Sequence, residues 1–514
     1  MKPTGSPIEW RSVSGAGIAV HGMVDIPGLL AACRAERDRG GRLVALWGSD
    51  ERDRAGGFRL HVALGSREGL RWLAADLPAD NPAHPDLAAV FPCAARMQRA
   101  NFDLLGIRAE GGDTRPWLRH AAWPADFFAL RGDADPGRRF PATAEDYAFV
   151  RVEGDGVHEI PVGPIHAGII EPGHFRFSVV GEKVLRLEQR LGYKHKGIER
   201  RFAGLPLAEG HRLAGRVSGD STVAYAWAYC QALESAAQIL PPPRASWLRG
   251  LMLERERVAN HLGDLGALGN DAAFSFGFSQ FMRLKEDWLR LNQRLWGHRL
   301  LMDRIVPGGV CSDLGIEGRE LLLAQCDAIE AEVRVLKDIY DEHAGVQDRF
   351  LTTGRLDPQL AAQLGVVGPA GRASGQGRDL RVDFPGAPYD RLGVKPVGHR
   401  NGDVAARVIV RFEETFESLR LIREMAGGLP EGEIQAAVPP AATGALGIGW
   451  IEGWRGEILV ALETGARDTL RRCHCHDPSW QNWPALEHAV MGNIVPDFPL
   501  INKSFNLSYS GQDL

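Results

Sequence analysis

The stretch whose reading decides the fold runs from residue 163 to residue 199. It holds Gly163-Pro164-Ile165-His166, then Glu171-Pro172-Gly173-His174-Phe175-Arg176, and closes with Gly192-Tyr193-Lys194-His195-Lys196-Gly197-Ile198-Glu199. Between the last two blocks, Phe175-Arg176-Phe177-Ser178-Val179-Val180 and Lys183-Val184 are strand-like runs on either side of Gly181-Glu182, which predicts a hairpin. Before this stretch, residues 1 to about 140 read as mixed α/β. Ile26 to Arg39 fits a helix, while Arg42 to Gly48 and Phe58 to Leu64 fit strands, the second with period-two alternation. A polar run rich in turn formers, Arg131 to Arg139, marks a linker. After it the text turns helical. Apolar residues recur at helical spacing over Ser246 to Leu268, Phe281 to Leu301, Ile316 to Tyr340 and Asp403 to Met425. A glycine-rich, arginine-dotted loop, Gly365 to Arg381, interrupts this pattern, and Gly447 to Leu514 reads as short strands with an ordered terminus.

The composition excludes several classes. Of 514 residues 44% are hydrophobic, and 60 Lys plus Arg face 65 Asp plus Glu for a net charge of -5, so nothing supplies the basic stripe that nucleic acid requires. The 61 glycines are not periodic, which rules out collagen and points to tight turns and close backbone approaches. No run reaches the roughly 18 apolar residues of a spanning helix. Met1 to Pro7 is followed by no signal-peptide core, so a soluble or peripheral cytoplasmic chain is expected. The seven cysteines (Cys33, Cys93, Cys230, Cys311, Cys326, Cys473, Cys475) are odd in number and scattered, against a disulfide framework. No C-x-x-C pair occurs anywhere.

In order and spacing, the blocks of residues 163–199 resemble the large subunit of membrane-bound, energy-converting [NiFe] hydrogenases and the related 49-kDa subunit of respiratory complex I. Further matching blocks follow in family order: Glu256-Arg257-Val258-Ala259-Asn260-His261-Leu262-Gly263-Asp264, Pro307-Gly308-Gly309-Val310, Gly368-Pro369-Ala370-Gly371-Arg372-Ala373-Ser374-Gly375, Asp379-Leu380-Arg381, Arg455-Gly456-Glu457 and Pro478-Ser479-Trp480. Asn101 to Ile107, Arg115 to Arg119 and Trp123 to Phe127 resemble the complex I 30-kDa subunit, which the formate-hydrogenlyase type of hydrogenase fuses ahead of its large subunit. The resemblance implies an α+β chain: a 30-kDa-like α/β module over 1–140, a linker over 141–157, and over 158–514 a large, mainly helical domain with peripheral antiparallel strands.

The chain departs from the family at the metal. Hydrogenases of this family hold nickel and iron with four thiolates from two C-x-x-C pairs. Ser218 and Ser221 occupy the places of the first pair, and Ser508 and Gly511 those of the second. A serine hydroxyl is hard and stays protonated near neutral pH, and glycine offers no ligand, so no [NiFe] centre and no active hydrogenase are expected. Complex I also lacks these cysteines and uses the vacated cavity as the head of a quinone site served by a histidine and a tyrosine. Local matching puts His174 at the histidine position and Gly219 near the tyrosine position, with Tyr225 and Asp220 as further candidates to deliver protons. His166, His174, Ser218, Ser221 and Ser508 are expected around this cavity, with a hydrogen-bonded structural histidine as the plainer alternative for His174. Arg372 and Arg381 are expected near the iron–sulfur cluster of a partner, with a surface loop as the plainer alternative for them.

Other groups carry weaker signals. In Cys473-His474-Cys475-His476, strand alternation sends the cysteines to one face and the histidines, partly exposed, to the other, so a single metal collects all four only if the strand turns there; a buried strand is the expectation, with metal binding as the alternative. Gly444 to Gly449 has the wrong order for a dinucleotide fingerprint, and no phosphate loop exists, so NAD and ATP are not expected to bind directly. Glu199 and Glu209 stand near the cavity entrance by family position, or in ion pairs with neighbouring arginines. Only Gln512-Asp513-Leu514 follow Gly511, leaving little for a maturation protease to remove. The expected protein is a peripheral-arm oxidoreductase subunit on the cytoplasmic side of the membrane, beside a small subunit with a [4Fe–4S] cluster and ion-translocating membrane subunits. The alternative is a non-redox scaffold that couples a soluble partner to those membrane subunits.

Overall fold

Alternation of buried and outward residues builds one sheet from the first 80 residues: β1 (Arg11–Val13), β2 (Ala19–Val24), β3 (Arg42–Asp50), β4 (Gly57–Gly65) and β5 (Leu70–Pro78), in the order β1-β2-β5-β4-β3. β2 and β5 are parallel because α1 (Ile26–Asp38) lies in the crossover between β2 and β3, and the other neighbours are antiparallel. Asp25 starts α1 by accepting the Gly28 N–H at 2.8 Å. A short parallel pair, β6 (Ala83–Pro85) and β7 (Arg108–Glu110), brackets α2 (Ala94–Leu105), which packs on β3. The computed structural model describes residues 8–13, 19–135, 137–168 and 170–514. Met1 to Pro7, and Pro136 within the expected linker, lie outside the described residues.

Residues 111–156 form no regular element among those described, yet they are fastened. Buried Asp103 accepts the N–H groups of Trp117, Leu118 and Arg119 at 2.6, 2.7 and 3.1 Å. The Tyr147 hydroxyl accepts from Arg99 at 2.7 Å while the Arg190 guanidinium sits 4.7 Å from its ring.

The expected hairpin is β9 (His174–Val180) and β10 (Lys183–Arg190), turned at Gly181 with φ 57° and extended on the β9 side by β8 (Val157–Val162). The helical body follows: α3 (Ile198–Phe202), α4 (Gly210–Ala214), α5 (Thr222–Ala236), α6 (Pro243–Asp271), α7 (Ser275–Trp296), α8 (Ile316–Glu342), α9 (Ala344–Phe350), α10 (Pro358–Leu364), α11 (Gly368–Ala373), α12 (Leu380–Asp383) and α13 (Val404–Gly427). The small hairpin β11 (Ile305–Val306) and β12 (Gly309–Val310) interrupts it. α6 runs through the centre with α7 on one side and α13 on the other, so it is buried all round and not merely along one stripe. A final antiparallel sheet, β13 (Leu446–Gly453), β14 (Gly456–Thr464) and β15 (Leu470–His476), lies on α5. α14 (Ser479–Ala489), α15 (Phe498–Phe505) and α16 (Tyr509–Asp513) complete the chain. The α+β class is as expected, and no helix among the described residues is long and apolar enough to cross a membrane.

Three expectations change. The glycine-rich loop folds as α11 and α12, and its Arg372 and Arg381 are buried. The tail holds strands only to His476 and is helical beyond. His474 and His476 are buried, because the face of β15 that carries them meets the first sheet. The His474 ring stacks on Trp47 at 4.8 Å, and Trp47 stacks in turn on His61 at 5.1 Å. A core cluster joining Trp47 and Trp72 to Ile448 and Leu459 seals the same junction.

Candidate functional site

Three elements bring the sequence-predicted serines together. Ser218 precedes and Ser221 ends a single tight helical turn ahead of α5, and Ser508 caps α16 by accepting the Gly511 N–H at 2.8 Å. Ser218 donates to Asp220 at 2.6 Å; its hydroxyl has one proton, so Ser508 must donate to it across 3.0 Å. Ser508 is held from behind, its own N–H donating to Ser479 Oγ at 2.9 Å. Asp220 is clamped by both terminal nitrogens of Arg455 at 2.5 and 2.8 Å, and Arg455 also donates to Ser221 at 3.3 Å. Burial opposes ionisation of Asp220, but the Arg455 charge and the bonds from Arg455 and Ser218 prevail and hold it at about 2.

The fourth place is closed. A Cβ built on Gly511 would stand 2.2 Å from Asp477 Oδ2 and 2.5 Å from its Cγ. Asp477 is itself fixed, accepting the Tyr225 hydroxyl at 2.7 Å and the Ser479 N–H at 2.8 Å. Burial, and for Tyr225 the adjacent carboxylate as well, pushes both groups above their ordinary values, so the pair is a neutral tyrosine against a hindered acid. These donors do not fit a pair of metals held by four thiolates: two hydroxyls are committed to each other and to Asp220, and a carboxylate fills the space beside the glycine. Among the described residues no three or more His, Cys, Asp or Glu side chains converge as a metal site.

The histidines are bonded elsewhere. His174 Nδ1 donates to the Gly163 carbonyl at 3.1 Å, which leaves Nε2 to accept from Arg176 at 3.4 Å. Its ring lies 5.3 Å from Phe149 and borders a groove of about 640 Å³ that also includes Tyr147, Arg190 and Tyr193. Burial lowers its pKa, so the ring is neutral near pH 7. His166 donates to the Gly173 carbonyl at 2.7 Å. Neither histidine bonds Asp220, Tyr225 or the serines.

The remaining candidates are internal. Arg372 binds Glu414 at 2.6 Å and Glu452 at 2.9 Å, and Arg381 binds Asp379 and Glu254. Glu209 pairs with Arg212 at 2.8 Å, whereas Glu199 takes Arg472 at 2.9 Å and His474 at 2.7 Å. Sequence reasoning missed the acids that complete the site. Glu171 accepts from the Ser510 N–H at 3.0 Å and from its hydroxyl. Glu256 accepts the N–H groups of Val223 and Ala224 at the start of α5, and burial pushes it up to about 8. Asp513 accepts from Gly192 and Lys194, and burial pushes it up to about 7. Glu171, Glu256 and Arg455 lie inside the family-like blocks; Asp477 adjoins one and gave no signal of its own.

Residues 23–139 match the family model of the respiratory-chain NADH dehydrogenase 30 Kd subunit, and residues 268–446 match that of the 49 Kd subunit. The chain is 32% identical over 488 residues to formate hydrogenlyase subunit 5 of Escherichia coli, covering 92% of this chain and 85% of that one. It is 28% identical over 489 residues to the C/D fusion protein of the NADH-quinone oxidoreductase of Bacteroides thetaiotaomicron, covering 88% and 90%. A chain of the membrane-bound sulfane sulfur reductase, an archaeal respiratory membrane complex, shares the fold with a TM-score of 0.66 at 23% identity, over 70% of this chain and 99% of that one.

Proposed function

We infer, from the premise that this chain belongs to the family of formate hydrogenlyase subunit 5, in which a 30-kDa-like part precedes a 49-kDa-like one, that it is a peripheral-arm subunit of a hydrogenase-like or complex I-like membrane oxidoreductase working without a [NiFe] centre. One observation carries the reading: Ser218 and Ser508 share a hydrogen bond, and Asp477 fills the space that a side chain at 511 would need. Soft, anionic donors are what nickel requires, and this site has none. Residues 1–140 form the 30-kDa-like module, 141–157 the linker and 158–514 the body. The partners are a small iron–sulfur subunit holding a [4Fe–4S] cluster and ion-translocating membrane subunits, with this chain on the cytoplasmic side.

The groove at His174 is the place for a quinone-type acceptor. Phe149, Tyr147 and Tyr193 provide ring-sized apolar walls, and Arg176 and His174 provide polar contacts to an oxygen. Because His174 Nδ1–H is held by Gly163, proton delivery uses Nε2, loaded transiently as the imidazolium. In the purified intact assembly, nickel is absent, iron matches the partner cluster, and reduction of a soluble quinone analogue falls about 100-fold in His174→Ala. Stoichiometric nickel overturns the reading. The closed serine cluster favours one alternative, a scaffold that couples a soluble partner to the membrane subunits. A cluster-loaded assembly without quinone turnover selects it.

A further inference from the structure

Behind the glycine-rich segment four buried carboxylates meet three buried guanidiniums. Glu254 and Arg257 come from α6, Arg372 from α11, Asp379 and Arg381 from the start of α12, Glu414 from α13 and Glu452 from β13, and none is more than 5% exposed. Arg257 binds Glu254 at 3.1 Å; Arg381 spans Glu254 and Asp379; Arg372 spans Glu414 and Glu452. The fully ionised cluster therefore carries one more negative than positive charge.

Among the described residues, no further cation pairs with these carboxylates. His261, on α6, directs Nε2 to Glu414 at 2.9 Å, while its buried Nδ1 has no partner. An imidazolium there would bury a charged N–H with no acceptor, so the ring is neutral. Tyr389 and Ser418 add only neutral hydroxyls, both to Glu254 at 2.6 Å. Of the neighbouring cations, Arg411 pairs with Asp264, Arg455 with Asp220 and Arg249 with Glu234. Arg407, on Ser504 and the Gly402 and Gly354 carbonyls, and Arg378, on the Gly40 carbonyl, make no ion pair with the four carboxylates. Asp383, accepting the Asp379 N–H at 3.3 Å, adds a further acid at the edge. A buried, uncompensated carboxylate takes up a proton in preference to remaining charged.

The position of that proton follows from the partners. Asp379 has a bidentate guanidinium, Glu254 has two guanidiniums and two hydroxyls, and Glu414 has one Arg372 N–H at 2.6 Å on one oxygen and the His261 N–H at 2.9 Å on the other. Glu452 has one Arg372 N–H and the Leu380 N–H at 3.2 Å, and it shares that arginine nitrogen with Asp379, which stands 3.8 Å from it. Glu452 also lines a cavity of about 340 Å³, together with Trp227, Leu380, Arg381 and Tyr389, whose rim includes the exposed Leu240. We propose that this cluster is a proton-binding site, in which Glu452 carries one exchangeable proton taken from and returned to solvent through that cavity. The step is a simple acid–base equilibrium between the carboxylic acid and its carboxylate, with water as the other partner. Burial first, and then the Asp379 charge, shift Glu452 upward in agreement with this. The site is independent of whether the chain serves a quinone or acts as a scaffold.

The test uses the full chain in its assembly. An infrared pH titration is expected to show a protonated-carboxyl carbonyl band that disappears as pH rises and is missing from Glu452→Gln. In heat unfolding, the wild type loses stability relative to Glu452→Gln as pH rises from the ordinary carboxylate range through the Glu452 value, the two slopes differing by one proton. Glu452→Gln, whose amide mimics the neutral acid, folds normally and keeps only the slope of the other buried groups. Glu414→Gln removes the charged partner shared by Arg372 and His261, leaving Arg372 only Glu452 and the more distant Asp379, and lowers stability at every pH. Equal slopes in wild type and Glu452→Gln, no difference band, or a Glu452→Gln variant as unstable as Glu414→Gln would each overturn the proposal. So would a wild-type stability that rises with sodium or potassium at constant ionic strength, which would mean a cation in place of the proton.

Discussion

At the scale of single residues, the chemistry of the site turns on Gly511 and its neighbour Asp477. Adding one methyl group at 511 forces it into the carboxylate at 2.2 Å, so Gly511→Ala should cost about 1–3 kcal/mol in chemical unfolding, and Asp477→Ala should relieve part of that cost. Restoring cysteine at 218, 221, 508 and 511 together should accordingly leave nickel content low, because the fourth thiol has no room while Asp477 stays. Metal analysis of the variant, with and without Asp477→Ala, checks this. Asp220 is the charged counterpart of the buried Arg455. Asp220→Asn should cost about 1–3 kcal/mol, less than breaking a fully enclosed pair, since the Asp220 side chain is partly exposed. The replacement of thiol by hydroxyl at Ser218, Ser221 and Ser508 was legible in the sequence. The carboxylate waiting beside Gly511 was not, because residues 477 and 511 meet only across the packing of α14 and α16.

At the scale of elements, the closest approach is that of β13 to α5. A Cβ at Gly449 would lie 1.9 Å from the Ala228 carbonyl oxygen, a backbone atom that cannot step aside. Gly449→Ala should therefore lift the strand from the helix and cost about 3 kcal/mol, measured as a shift of the denaturant midpoint at unchanged slope. The sequence marked Gly444 to Gly449 only as a failed dinucleotide motif; the glycines serve helix–strand packing. The helices α6, α8 and α13 were legible because their periodicity is long. α11 and α12 were not: each is one or two turns, their glycines and prolines argue for a loop, and their stability comes from burying Arg372 and Arg381 against acids on α6, α13 and β13.

For the whole molecule, the buried acids set an unusual dependence on pH. Glu256 at about 8 and Asp513 at about 7 lie above their ordinary values of 4.5 and 3.8, so the folded chain binds protons that the unfolded chain releases. Their contribution is complete below the ordinary carboxylate range and is lost as pH rises through about 7 to 8. Glu199, Glu254 and Asp220, held at about 2 against burial by neighbouring positive charges, act in the opposite sense and lose their contribution as pH falls from about 4 to 2. Buried histidines act in this second sense too: burial lowers His21 to about 4 and His476 to about 3, and their contribution is lost as pH falls below the ordinary 6.5. Stability should thus peak near about pH 6 to 7 and decline on either side, as a melting series will show. The sequence by itself determined the family, the α+β class and the loss of every paired cysteine, since ordered blocks and residue types are local information. Only the tertiary structure decided which acids surround the serines, that His174 bonds Gly163 and Arg176, and that Arg372 and Arg381 are buried among acids. Those facts depend on distances between segments hundreds of residues apart, and on which charges the folded interior can neutralise.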